Sequence, residues 1–147
     1  MTQGKVAIVT GGGSGVGRAA SLALTRMGAQ VVFADCDEAA GAETLRLSEA
    51  EGGAAAFARA DVSDAEDVKA MVATARTRFG RLDILVNNAA ICTKQMLLVD
   101  APDEDFDRTL AVNMRGVWLG MKHAIPLMIE GSGGCIVRGR DAWRSTQ

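Results

Sequence analysis

Five short apolar runs set the terms for this chain: VAIV (Val6–Val9), VVFA (Val31–Ala34), AAAFA (Ala54–Ala58), ILV (Ile84–Val86) and CIV (Cys135–Val137). None alternates with polar residues, so each reads as a strand buried on both faces, the condition of a parallel sheet covered by helices. The stretches between them have helical period. Strand and helix alternating with right-handed crossovers predict an α/β protein whose doubly wound parallel sheet has five strands, with helices on both faces. The 147 residues suit one domain, over 1–137, followed by an atypical tail over 138–147. No internal repeat, low-complexity tract or linker interrupts the pattern.

The spacing predicts four helices. In the first, Val16, Ala19, Ala20, Ala23, Leu24 and Met27 recur at i, i+3, i+4 and i+7, with Gly28 as the C-terminal cap. A second runs from about Glu38 to Ala50 and is ended by Gly52 and Gly53. The third opens with a capping box from Ser63 to Glu66, turns Ala65, Val68, Met71, Val72 and Ala75 inward, and stops at Gly80. The fourth starts near Pro102 and Asp103. Phe106, Leu110, Met114, Val117, Met121 and Ala124 form its apolar stripe until Pro126 bends or ends it.

Between the first strand and the first helix lies TGGGSGVG, Thr10 to Gly17. A helix N-terminus leaves N–H groups unpaired at the positive end of its dipole and so attracts phosphate. The connecting turn must then leave the strand sharply, bring backbone close to a pyrophosphate, and let the helix pack tightly on the strand. Gly11, Gly15 and Gly17 meet these demands in that order, with Ser14 and Val16 beside them; Gly12 and Gly13 read as merely small and permissive. Asp35 ends the second strand eighteen positions after Gly17, near the distance at which an acidic residue takes the adenosine ribose hydroxyls. Its alternative role is an N-cap, for which Asp37 is better placed. Asp35 would repel a 2′-phosphate, and Cys36 stands where an arginine would welcome one, so NAD is expected in preference to NADP.

These residues resemble the short-chain dehydrogenase/reductase family from Lys5 to about Val137. TGGGSGVG matches its TGxxxGxG cofactor turn, Asp61–Val62 its adenine pair, NNAA (Asn87–Ala90) its NNAG, and Val112–Asn113 its helix asparagine. The resemblance implies a Rossmann-type dinucleotide-binding domain that serves oxidation of an alcohol or reduction of a carbonyl on a small molecule. It places Asp61, Val62, Asn88 and Ala89 by the cofactor, and Asn113 in a proton relay through a water. Read from the residues alone, Asp61 is either an adenine acceptor or a helix-entry turn residue. Asn87 and Asn88 either bridge loops or touch the ribose, and Asn113 is either catalytic or a buried structural amide. Relatives also pair through the long helix, so a homodimer or tetramer is implied.

The family's chemistry further needs a serine, a tyrosine and a lysine, and this chain contains no tyrosine. After GGCIV it continues RGRDAWRSTQ, with Arg138 to Asp141 across the expected serine segment and Ser145 displaced from it. Lys94 and Lys122 have no phenol to assist. The expectation is a truncated or frame-shifted product that binds NAD without turnover, the alternative being a natural non-catalytic NAD-binding or dimerising module. A methyltransferase on a similar sheet is disfavoured, because it would carry a tighter GxG turn and no NNAA. With a net charge of −2 and no basic cluster, no nucleic acid is expected, and no apolar run reaches the ~20 residues of a membrane span. Cys36, Cys92, Cys135 and His123 include no pair at metal-ligand spacing, so no metal site is expected. The three cysteines read as buried free thiols in a reducing, cytoplasmic setting.

Overall fold

The computed structural model describes residues 2–93 and 96–139. The strands are β1 (Val6–Thr10), β2 (Gln30–Asp35), β3 (Ala55–Arg59), β4 (Ile84–Asn87) and β5 (Cys135–Arg138). They form one parallel sheet in the order β3-β2-β1-β4-β5. The helices are α1 (Gly15–Arg26), α2 (Glu38–Ala50), α3 (Ala65–Phe79), α4 (Asp103–Leu110) and α5 (Gly116–Glu130), with a π-helical turn, Ala111–Arg115, joining the last two. The pleat sends Val6 and Ile8 of β1 to one face, where α3 and α5 cover them with Val68, Met71, Leu119 and Leu127. Ala7 and Val9 face the opposite way with Phe33, against Leu24 of α1 and Leu45 of α2. Each face of the central strand is therefore dry, which is why VAIV carries no polar residue.

The face of α3 is as expected, but those of α1 and of the long helix differ, and the sheet side of α2 is set by the same packing as that of α1. On α1, Val16 and Met27 are exposed and the sheet side is Gly17, Ser21 and Thr25. On α2 it is Gly41, Thr44 and Ser48. The reason is that the sheet supplies the bulk here: Phe33 and Phe57 stack at 5.8 Å between ring centroids, so the helices must bring small residues to them. A Cβ on Gly41 would lie 2.2 Å from the Phe57 ring. The buried hydroxyls of Ser21 and Thr25 cost little, because they donate to the Gly17 and Leu22 carbonyls of their own helix. The long helix differs in its first half. There the predicted stripe is outward, with Phe106, Leu110 and Met114 exposed, whereas Ala124 is buried as expected and shares the sheet side with Gly116, Leu119, Gly120, Leu127 and Met128.

Other differences are local. All four residues of β5 are exposed, because it is an edge strand that no described element covers. The three cysteines are free but exposed, not buried: Cys36 follows β2, Cys92 lies in the loop after β4, and Cys135 opens β5. The N-cap of α3 is Asp64, whose carboxylate accepts from the amides of Glu66 and Asp67, because Ser63 is engaged by Asp61. Pro126 does not end α5, which runs through it to Glu130. Asp37 caps α2 through the Ala40 amide. Among the described residues no helix is long and apolar enough to cross a membrane.

Below the sheet, at the amino ends of β1 and β4, Asp83 is buried and accepts from Val6 N at 2.9 Å, Lys5 Nζ at 3.1 Å and Arg81 Nη2 at 2.6 Å. Burial pushes this carboxyl up, but the Arg81 guanidinium, the Val6 amide and Lys5 outweigh it and hold it below the usual range. A lowered folded pKa gives stability above the unfolded carboxylate value, lost as pH falls through the folded one. Asp83→Ala leaves the buried Val6 amide unpaired and is expected to cost about 1–3 kcal/mol at pH 7. In urea melts the gap between parent and variant should shrink on acidification. A constant gap would assign the loss to packing instead.

Candidate functional site

At the carboxyl ends of β1, β2 and β4 the chain opens into a cleft of about 790 Å³. α1 leaves β1 on one face of the sheet while the chain after β4 passes to the other, and the divergence makes the crevice in which doubly wound folds bind ligands. Gly11, Ser14, Gly15, Val16, Asp35, Asp61, Val62, Asn88 and Ala89 all line it. Gly17 and Asn113 do not.

Each glycine of the turn has a separate task. Gly11 has φ +66°, and a Cβ on it would meet Ala89 Cα at 2.9 Å, so this residue lets the chain turn under the loop after β4. Gly15 has φ +49° and nothing within 4 Å of its would-be Cβ, which would point into open space. Gly17 is packed out: a Cβ there would lie 1.9 Å from the Gly11 carbonyl oxygen. Gly12 and Gly13, expected to be merely permissive, are also sterically required. Their Cβ atoms would fall 2.5 Å from Phe33 Cβ and 2.8 Å from Asp35 Oδ2. Ser14 precedes α1 without a side-chain cap, so the first amides of that helix have no partner from its hydroxyl.

Asp35 holds the turn and the next helix together. Its Oδ2 accepts from Gly13 N at 2.9 Å and its Oδ1 from Asp37 N at 3.0 Å. Each oxygen keeps a lone pair for a further donor. At the opposite rim, Asp61 Oδ1 accepts from the amide and hydroxyl of Ser63 at 2.9 and 2.7 Å. Those bonds, aided by Arg108 and Arg59 and opposed by burial, hold the Asp61 carboxyl below its ordinary range. Arg108 itself lines the cleft and no motif pointed to it.

Asn88 bridges loops: its Nδ2 donates to the Thr10 carbonyl at 3.1 Å, while the Thr10 hydroxyl accepts from the amides of Asn88 and Ala89. Asn87 is buried behind it with Nδ2 unpartnered and a would-be Cβ of Gly120 only 2.6 Å from its Oδ1. Asn113, expected to be largely buried, is half-buried. It sits in the π-helical turn and grips the backbone of Ile91, accepting from its amide and donating to its carbonyl, both at 2.9 Å. Arg18 and Thr44 were invisible as site residues, because their roles lie in contacts between elements far apart in sequence; Thr10 opens the glycine motif, but the bonds of its hydroxyl to the loop after β4 were not announced by it. Lys94, Asp141 and Ser145 lie outside the described residues, and within these no three metal-ligating side chains come together.

A dinucleotide suits this donor set: an open glycine cradle on unpaired amides, and a carboxylate with acceptor capacity to spare. Residues 5–138 match the family model for short chain dehydrogenase. The chain belongs to the short chain dehydrogenase family. It is 44% identical over 135 residues to an uncharacterized oxidoreductase of Thermotoga maritima, covering 92% of this chain and 53% of the relative. It is 41% identical over 138 residues to tropinone reductase-like 1 of Erythroxylum coca, covering 92% of this chain and 50% of that one. A solved short chain dehydrogenase/reductase from Burkholderia phymatum, in complex with NAD, superposes with a TM-score of 0.89 at 33% identity, covering 93% of this chain and 49% of that one. The chain therefore spans about half the length of the relatives it matches.

Proposed function

We propose that this chain is the NAD-binding part of an oxidoreductase that moves hydride between NAD(H) and a small alcohol or carbonyl compound. The observation that carries this reading is Asp35, fixed at the cleft rim by two backbone amides with acceptor capacity left for ribose hydroxyls. Gly11, Ser14, Gly15 and Val16 would hold the pyrophosphate, with Gly17 keeping the helix close. Asp61 and Val62 would hold the adenine, and Asn88 and Ala89 the nicotinamide-side ribose. NAD supplies the hydride acceptor; the chain binds and orients it. Asn113 fixes Ile91 beside that end, the place from which a relay asparagine would act.

We assign NAD over NADP because a 2′-phosphate would meet the Asp35 carboxylate, and Cys36 beside it offers no positive charge. Fluorescence titration with NADH and NADPH should show NADH binding at least about tenfold tighter, the effect of one uncompensated charge contact. Asp35→Ala with Cys36→Arg should reverse the order. Equal affinities in the parent would sink the preference. The exposed thiols suit a reducing compartment, and we place the chain in the cytoplasm. The outward row Phe106, Leu110, Met114, Trp118, Ile125 and Ile129 supports pairing with a second copy.

A further inference from the structure

Arg18 stands one turn into α1, outside the cleft, and its guanidinium folds back between the glycine turn and α2. Nε donates to the Thr44 hydroxyl at 2.9 Å, and Nη2 donates to the carbonyls of Gly13 and, at 3.3 Å, Ala40. Thr44 is fully buried, and its hydroxyl lies 3.1 Å from the Ala40 carbonyl and 3.3 Å from that of Gly13. Every acceptor in this set is neutral, so the contact is not a surface ion pair. It uses the fixed fork of the guanidinium to span three groups on two elements, which a lysine cannot do.

Gly13 is thereby gripped from both ends, its amide by Asp35 and its carbonyl by Arg18. The peptide between Gly13 and Ser14 is trans, so the Gly13 C=O and the Ser14 N–H point in opposite directions. Drawing the Gly13 oxygen toward α2 turns the Ser14 amide away from α2, and Ser14 and Gly15 line the cleft whereas Gly13 does not. We infer that Arg18 is a positioning residue for the anion site: through the Gly13 carbonyl it aims the Ser14 amide at a bound phosphate without touching the ligand. This rests on the dinucleotide reading above.

The test is binding of ADP and of adenosine to the 147-residue chain, followed by NMR titration, for the parent, Arg18→Met, Arg18→Lys and Thr44→Val. Arg18→Met should weaken ADP roughly ten- to a hundredfold, the range for one hydrogen bond to a charged group, and leave adenosine within about twofold. Arg18→Lys keeps the charge but not the fork and should show the same fall in the ADP-to-adenosine ratio. Thr44→Val removes one acceptor and should give a smaller fall in the same sense. Should Arg18→Met fail to fold, Arg18→Lys and Thr44→Val carry the readout. An unchanged ratio in the folded variants overturns the role of Arg18, as does full recovery in Arg18→Lys, which would make it a matter of charge alone. A parent chain that binds neither ADP nor NAD overturns the cofactor reading itself and this inference with it.

Discussion

No NADH is expected to form when the 147-residue chain is held with saturating NAD and a panel of secondary alcohols, while a full-length relative turns the same panel over. Loss of hydride from an alcohol also requires loss of its proton, and a base tuned near the working pH contributes roughly 10²–10⁴-fold. The chain has no tyrosine. Asn113 cannot titrate and is committed to Ile91. Asp61 is held low by Ser63, which suits an acceptor and disqualifies a base at neutral pH. Lys122 lies against the Trp118 ring, 4.7 Å from its centroid, and neither it nor His123 lines the cleft. Replacing the chain from Arg138 onward with a family-like segment bearing serine, tyrosine and lysine should create turnover. Turnover by the unaltered chain that survives Asn113→Ala would place the chemistry elsewhere.

Gly15→Val should weaken NAD binding by at least about a hundredfold, because a branched side chain would cover more than one amide that faces the phosphates. The protein offers no clash, since nothing lies within 4 Å of that Cβ, so the fold pays only for valine at positive φ, about 1–3 kcal/mol. Gly17→Ala is the converse. Its Cβ at 1.9 Å from the Gly11 oxygen has nowhere to go, and the melt, not the ligand contact, should fail first. Circular dichroism melts beside NADH fluorescence titrations separate the two. A Gly15→Val protein that binds like the parent would remove this residue from the phosphate site.

The elements were legible because their signals are short-range. Every apolar run became a strand, within a residue or two of its expected ends, and Gly80 and Asp37 mark helix ends that their chemistry announces. Most of the cleft was legible too, since Gly11, Gly15, Asp35, Asp61 and Asn88 lie at strand ends where doubly wound folds bind ligands. The face of α3 was legible as well, with Val68, Met71, Val72 and Ala75 buried as expected, but those of α1 and the long helix were not. Hydrophobic periodicity assumes that the buried side is apolar, and on α1 and α2 it is Gly, Ser and Thr, dictated by Phe33 and Phe57 on another element. The Arg18 clasp was hidden for the same reason: Thr44 is twenty-six residues away, and no local pattern says the two will meet.

The strand order also governs when the sheet can be completed. β1 is its middle member, yet one of its neighbours is β2 and the other is β4, with Ala7 beside Val31 and also beside Ile84. As the chain leaves the ribosome, the most apolar segment finds its first companion early and then waits for more than fifty further residues before its second edge is closed. Long-range parallel pairing of this kind is slow and leaves sticky intermediates. The burden of keeping the nascent chain from aggregating therefore falls on the interval between β2 and β4, where α2 and α3 must already shelter the two opposite faces of a half-built core.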